Sequence, residues 1–152
     1  MGLVRMHGHI ETPIEAVFDY AVDFNRSAEW NVNIVEMAPS PPLGKVGDTF
    51  SGKMKFLGRI YTGSGTVTEF ERPKLIAFTS ASPDGGHQNW TTRFTPVGTG
   101  TDVDVLVDYE VPMSIIGAIA DKLFIEKTFQ RDLEQSRDNF RAMAEHKMPA
   151  PV

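Results

Sequence analysis

The chain contains no cysteine, which removes disulfides, thiolate nucleophiles and cysteine-ligated zinc in one step. That absence is compatible with a reducing cytoplasm, the expected location. Long hydrophobic runs are also missing: no stretch approaches the roughly 18 apolar residues of a membrane-spanning helix, so no integral membrane association is expected. The first eleven residues carry Arg5, His7, His9 and Glu11 where an export signal needs an unbroken apolar core, and Met6 stands where a myristoylation pattern needs Ser or Thr. Positive charge is scarce as well. Fifteen Lys and Arg against 20 Asp and Glu leave a net charge of -5, which gives no sequence-wide attraction for phosphate backbones; no nucleic-acid partner is expected.

What is present is ordinary globular material: 152 residues, 41% hydrophobic and 23% charged. That length and mixture predict one core, with residues 1–148 as one ligand-binding domain and 149–152 as a tail.

Periodicity then orders the chain. Val4, Met6, Gly8 and Ile10 alternate with Arg5, His7, His9 and Glu11, the mark of a half-buried strand. Thr12 and Pro13 start a short helix in which Ile14, Val17, Phe18 and Ala21 recur at helical spacing. Asp23 or Asn25 can cap a second short helix running through Glu29, and residues 30–37 read as a strand before the Pro-rich loop at 38–42. Phe50, Gly52, Met54 and Phe56 share one face of the next strand. Residues 59–71 favour a strand whose buried face the pattern does not settle, with Tyr61 and Val67 the favoured inward pair. Strands at 75–80 and 88–96 follow, the latter with Trp90, Thr92 and Phe94 together. The last strand puts Val103, Val105, Val107, Tyr109 and Val111 on one side and Asp102, Asp104, Asp108 and Glu110 on the other.

Past Pro112 the residues favour helix, and 114–145 predict one long helix of roughly 48 Å. Its apolar stripe runs through Ile115, Ile119, Ile125, Phe129, Leu133, Ser136, Phe140 and Met143, with Leu123 and Phe124 broadening it. The fold class is therefore α+β: a curved antiparallel sheet of about seven strands wrapped around a long C-terminal helix, with two short helices after the first strand. A twisted sheet leaves gaps against one helix wherever side chains are short. The inward side chains bordering such gaps are Phe50, Met54, Phe56, Tyr61, Phe78, Trp90, Phe94 and Tyr109, mostly large and apolar, and with Leu123 and Phe124 they form the candidate ligand-binding set.

Several short segments together look familiar: residues 10–20 after the opening strand, Asp23-Phe24, Glu29-Trp30, residues 44–50, 65–70 and 100–103. They resemble the START-like (SRPBCC) superfamily, and more narrowly its polyketide cyclase/dehydrase and lipid-transport branch. The resemblance implies a helix-grip fold around a hydrophobic cavity, in a family whose members cyclise polyketides, carry lipids or quinones, or bind plant hormones. It also implies that Trp30 sits near the cavity mouth and joins the binding set, and that Tyr109 and Pro112 lead into the long helix.

The sharper chemical motifs lose to plainer ones. His7 and His9 share the face opposite Val4 and Ile10, which predicts solvated histidines rather than a metal pair. His87 reads as a loop residue beside Gly85 and Gly86, and the acidic row from Asp102 to Glu110 as a solvated face. Gly63, Ser64 and Gly65 lack the third glycine or Gly-Lys-Ser/Thr of a nucleotide loop; a bulge or a close helix approach explains them better. No catalytic residue, metal or cofactor is assigned. The expected function is binding or carriage of a hydrophobic small molecule (a lipid, quinone or polyketide-like aromatic) by a monomer or homodimer. Two alternatives stay open: a polyketide cyclase/dehydratase using Tyr109, Trp90 and Tyr61, and a protein-interaction module without ligand.

Overall fold

The computed structural model describes residues 2–119 and 121–146. β1 (Gly2–Ile10) is followed by α1 (Ile14–Val22) and a 3₁₀ helix (Phe24–Glu29). Six strands come next: β2 (Ile34–Met37), β3 (Thr49–Phe56), β4 (Arg59–Glu71), β5 (Leu75–Ala81), β6 (His87–Val97) and β7 (Gly100–Glu110). Two helices close the order, α2 (Met113–Ala118) and α3 (Lys122–His146). The strands form one antiparallel sheet ordered β1-β7-β6-β5-β4-β3-β2, curled around α3 in a helix grip, as the alternation and hairpins predict. The tail expected from residue 149 lies outside the described residues. No helix among those described is long and apolar enough to cross a membrane.

Register sorts the inner face into rows. Val4, Val107, Trp90, Phe78 and Val67 stand opposite one another across five strands. Next to them runs a second row of Met6, Val105, Thr92, Ile76 and Phe70. β4 resolves the open question of its faces: Tyr61 and Val67 point inward, and a register shift between Val67 and Glu69 turns Phe70 inward too. A bulge of that kind inserts one residue, which the alternation alone could not place. Gly65 answers to a different cause from the one expected. A Cβ on Gly65 would run into the Thr79 carbonyl and the Phe50 ring, so the glycine admits its cross-strand neighbour's ring rather than a bulge or a helix.

The long helix differs from expectation. Ile119 is extended and interrupts it, so α3 is 25 residues, or about 37 Å. Gly117 and the β-branched Ile115, Ile116 and Ile119 lower helix propensity there. Asp121 then starts the new helix, its Oδ1 accepting from Phe124 N at 3.1 Å. The strand expected over 30–37 is shorter as well, because Asn31 Oδ1 accepts from Asn33 N at 2.9 Å and holds a turn before Ile34. Neither expected cap acts on the 3₁₀ helix: Asp23 makes no side-chain cap bond, and Asn25 instead pins the Pro-rich loop at Ser40.

α3 also closes the free edge of β1. Gln130 Nε2, Arg137 Nη1 and Arg141 Nε donate to the carbonyls of Arg5, His7 and His9 at 2.8, 3.2 and 2.9 Å. Three alternate carbonyls of an edge strand are thereby satisfied by one helix face, which blocks pairing with another chain at those positions.

Candidate functional site: a cavity between sheet and helix

The inner face is unevenly filled. Gly52 and Gly63 stand opposite each other on β3 and β4, and Gly65 stands opposite Ser80. Where side chains are this short the sheet cannot reach α3, and a partly open space of about 100 Å³ remains. An aromatic wall bounds it. Phe24, Phe50 and Phe78 meet edge to face at centroid distances of 4.8 to 5.3 Å, and Phe78 stacks on Trp90 at 5.7 Å. Met6, Met37 and Met54 add flexible thioethers. From α3 come Leu133, Ser136 and Phe140, and Trp30 closes one side with its ring edge to face on Phe140 at 5.1 Å.

Of the eleven residues expected to contact a ligand, Trp30, Phe50, Met54, Phe78, Trp90 and Phe94 line this space. Phe56 and Tyr109 are buried but lie beyond it, both packed on Phe129, where the grip is filled solid. Tyr61 borders a separate crevice of about 10 Å³, beside His87 and Glu110. Leu123 and Phe124 are misplaced by the sequence reading: they are 58% and 49% exposed. At 100° per residue, Leu123 lies about 200° and Phe124 about 100° from Ile125, whose stripe faces the sheet. Both residues adjoin Ile125 in sequence, but the helical turn carries them off its stripe.

Sequence reasoning missed Met6, Met37 and Phe24 as wall residues. The alternation already placed Met6 on the inner face; Met37 and Phe24 carried no comparable signal, since their positions depend on how β2 and the 3₁₀ helix fold over the opening.

The cavity's polar atoms are few and mostly engaged. Trp90 Nε1 donates to Gln88 Oε1 at 2.6 Å, and Ser136 Oγ accepts from Val32 N at 3.0 Å. Arg137 is the one charged lining residue among those described; its guanidinium donates to Asp138 and the His7 carbonyl while its stem lies over Gly8. No Asp, Glu or His lines the space among the described residues. Burial, with a smaller contribution from Asp84, pushes the Tyr61 hydroxyl up to about 12; burial and then Glu126 do the same to Tyr109. Both are neutral hydroxyls at physiological pH. Wider hollows near the Ala38–Ser40 loop, lined by hydroxyls of Ser51, Ser64 and Thr79, are open to solvent.

On the outer face the histidines pair with the acidic row across the β1–β7 register. His7 Nδ1 lies 2.6 Å from Asp104 and His9 Nδ1 2.7 Å from Asp102, with Glu11 3.1 Å from His9 Nε2. His87, expected in a loop, instead opens β6 opposite Glu110. Among the described residues no group of three or more metal-ligating side chains is arranged to hold an ion. The hydrogen bonds of His9 to Asp102 and then Glu11 raise its pKa above 6.5. A pKa higher in the folded than in the unfolded state stabilises fully below the unfolded value and is lost as pH rises through the folded one. Nuclear magnetic resonance titration of His9 is therefore expected to give a midpoint above 6.5 that moves down in Asp102→Asn. An unchanged midpoint in that variant would contradict the pairing.

Comparison with known proteins agrees with this geometry. The chain matches the family described as polyketide cyclase/dehydrase and lipid transport over residues 1–145, and it belongs to that family. No protein of curated function matches it in a sequence search. Among solved structures it is similar to a START superfamily protein from Mycobacterium smegmatis, with 15% identity, TM-score 0.79 and 96% and 99% of the two chains covered. It is also similar to the Zhui aromatase/cyclase from a Streptomyces species, at 13% identity and TM-score 0.77 over 98% and 96%. A protein of Thermus thermophilus shares 20% identity at TM-score 0.75 over 97% and 100%. At these identities the likeness concerns the fold.

Proposed function

We propose that this protein binds and carries a hydrophobic small molecule (a lipid, quinone or polyketide-like aromatic) in the cavity between its sheet and α3. The observation that supports the reading is the apolar space of about 100 Å³ under the Phe24, Phe50, Phe78 and Trp90 rings. A dry cavity of about 150 Å³ admits benzene, so this space, at about 100 Å³, takes the end of a chain or part of a ring before its walls move. Larger guests need the walls to yield, and Met6, Met37 and Met54 are the side chains that yield most easily. At roughly 25 cal/mol per Å², a guest burying about 200 Å² gains on the order of 5 kcal/mol before association costs, so burial alone supports binding.

Cyclisation is the second reading, favoured by the family and by the fold shared with a Streptomyces aromatase/cyclase. It requires a group that accepts a proton at the substrate. The lack of carboxylate and imidazole in the lining, among the described residues, supports carriage over it. Native mass spectrometry of the purified protein, followed by thermal-shift screening against fatty acids, quinones and aromatic polyketides, tests the proposal. A guest at about 100 times its dissociation constant adds roughly 2.7 kcal/mol, equivalent to a rise of about 5–11 °C for a chain of this size. No shift with any apolar guest would overturn it in favour of a protein-interaction role, and turnover of a polyketide would favour the enzyme.

A further inference from the structure

Two methionines fold over the smallest residues of the sheet. Gly52 and Gly63 stand opposite each other on β3 and β4, and Met37 Sδ and Met54 Sδ lie 2.6 and 3.2 Å from where a Cβ on Gly52 and on Gly63 would stand. Each thioether thus occupies the hollow that a missing side chain leaves. Each also has space on its far side. Met37 borders both the cavity and an open hollow along β2 and the Ala38–Pro39 turn, and Met54 borders both the cavity and the crevice beside Tyr61. The other walls differ. Phe24, Phe50, Phe78 and Trp90 hold one another ring to ring, and Met6 stands in a row with Val105, Thr92 and Ile76, where no glycine opens a hollow. An unbranched thioether with three rotatable bonds moves aside at little cost, whereas interlocked rings do not.

We propose that Met37 and Met54 are yielding plugs, and that they, rather than the resting volume, set the size of guest the cavity accepts. The inference rests on the cavity reading above and adds the size class of the occupant. A 150 Å³ cavity that takes the six carbons of benzene corresponds to about 25 Å³ per heavy atom. On that scale the resting space of about 100 Å³ holds about four heavy atoms. The Cγ, Sδ and Cε atoms of the two methionines fill about 150 Å³ more, so with both tails swung aside the room reaches about 250 Å³ and the guest about ten heavy atoms. Selection is then by size. An apolar body of two fused rings, or a chain of similar bulk, enters by moving both thioethers, and a much smaller one moves neither.

Xenon and naphthalene test this, a single atom against ten carbons. Dissociation constants come from nuclear magnetic resonance titrations of the wild type, Met37→Ala and Met54→Ala, each labelled with carbon-13 at the methionine methyls. In the wild type, naphthalene is expected to move the Met37 and Met54 methyl carbon resonances in the direction that marks a changed last side-chain torsion, and xenon to leave that torsion as it is. Each alanine substitution removes a tail that naphthalene otherwise has to displace, so the ratio of naphthalene to xenon affinity rises about tenfold, the scale on which an apolar pocket discriminates a small group. A methionine that served only as wall would lose contacts with both guests, and the ratio would stay level or fall. That result in either variant, or naphthalene bound to the wild type with both thioether torsions unchanged, overturns the plugs while the cavity reading stands. So does naphthalene that binds the alanine variants alone, because the thioethers then do not yield. If neither guest binds any of the three proteins, the cavity reading falls as well.

Discussion

Gly63→Leu is expected to abolish uptake of apolar guests while leaving the fold in place. Gly63 borders the cavity, opposite Gly52, and its φ lies outside the left-handed region, so a side chain is compatible with the backbone. The nearest obstacle to a Cβ there is Met54 Sδ at 3.2 Å, the flexible end of a side chain that can move by a few tenths of an ångström. The four carbons of leucine then occupy most of a space of about 100 Å³. Competition for so small a volume costs a guest about a hundredfold in affinity, the scale on which an apolar pocket rejects an oversized group. The melting temperature should stay level or rise, because the added methyl groups fill a void instead of creating strain. Isothermal titration with any guest found by thermal shift checks it. Undiminished affinity would place the guest elsewhere.

Phe18→Ala is expected to have the largest effect on stability. Phe18 is fully buried on α1 and meets Phe70 and Phe94 edge to face at 5.4 and 5.1 Å, which fixes that helix to β4 and β6. Truncation loses both the transfer free energy and the packing around the hole, about 3–5 kcal/mol together. For a chain of this length that lowers the melting temperature by about 6–20 °C. Urea unfolding measures it, and a loss under about 1 kcal/mol would mean that α1 is not anchored through this ring. The contrast between the two substitutions is informative: Phe18 lies where the grip is filled, Gly63 where it is not.

Strand alternation made most of the sheet legible. Val103 to Val111 and Phe50 to Phe56 announce their inward faces because a period of two has only one way to bury its apolar half. Local features that interrupt a period were harder to read. The bulge after Val67 and the helix break at Ile119 each change phase by a residue or so, and an average over a window hides them. Leu123 and Phe124 are a different case: they looked like cavity residues because they adjoin Ile125, but helical periodicity alone turns them away from its stripe and onto the surface. The cavity itself was legible only in part. Composition names the large residues that bound it, whereas its position depends on the small ones, Gly52, Gly63, Gly65 and Ser80, and their alignment across strands is a matter of register.

Observing a guest against the cavity's own methyl groups tests the central claim most directly. With methionine methyls labelled with carbon-13, the account predicts nuclear Overhauser contacts from a bound apolar guest to Met6, Met37 and Met54, and none to the exposed Met113. Methyl resonances that stay unmoved by every apolar guest up to its solubility limit, or contacts that appear only at Met113, would contradict it.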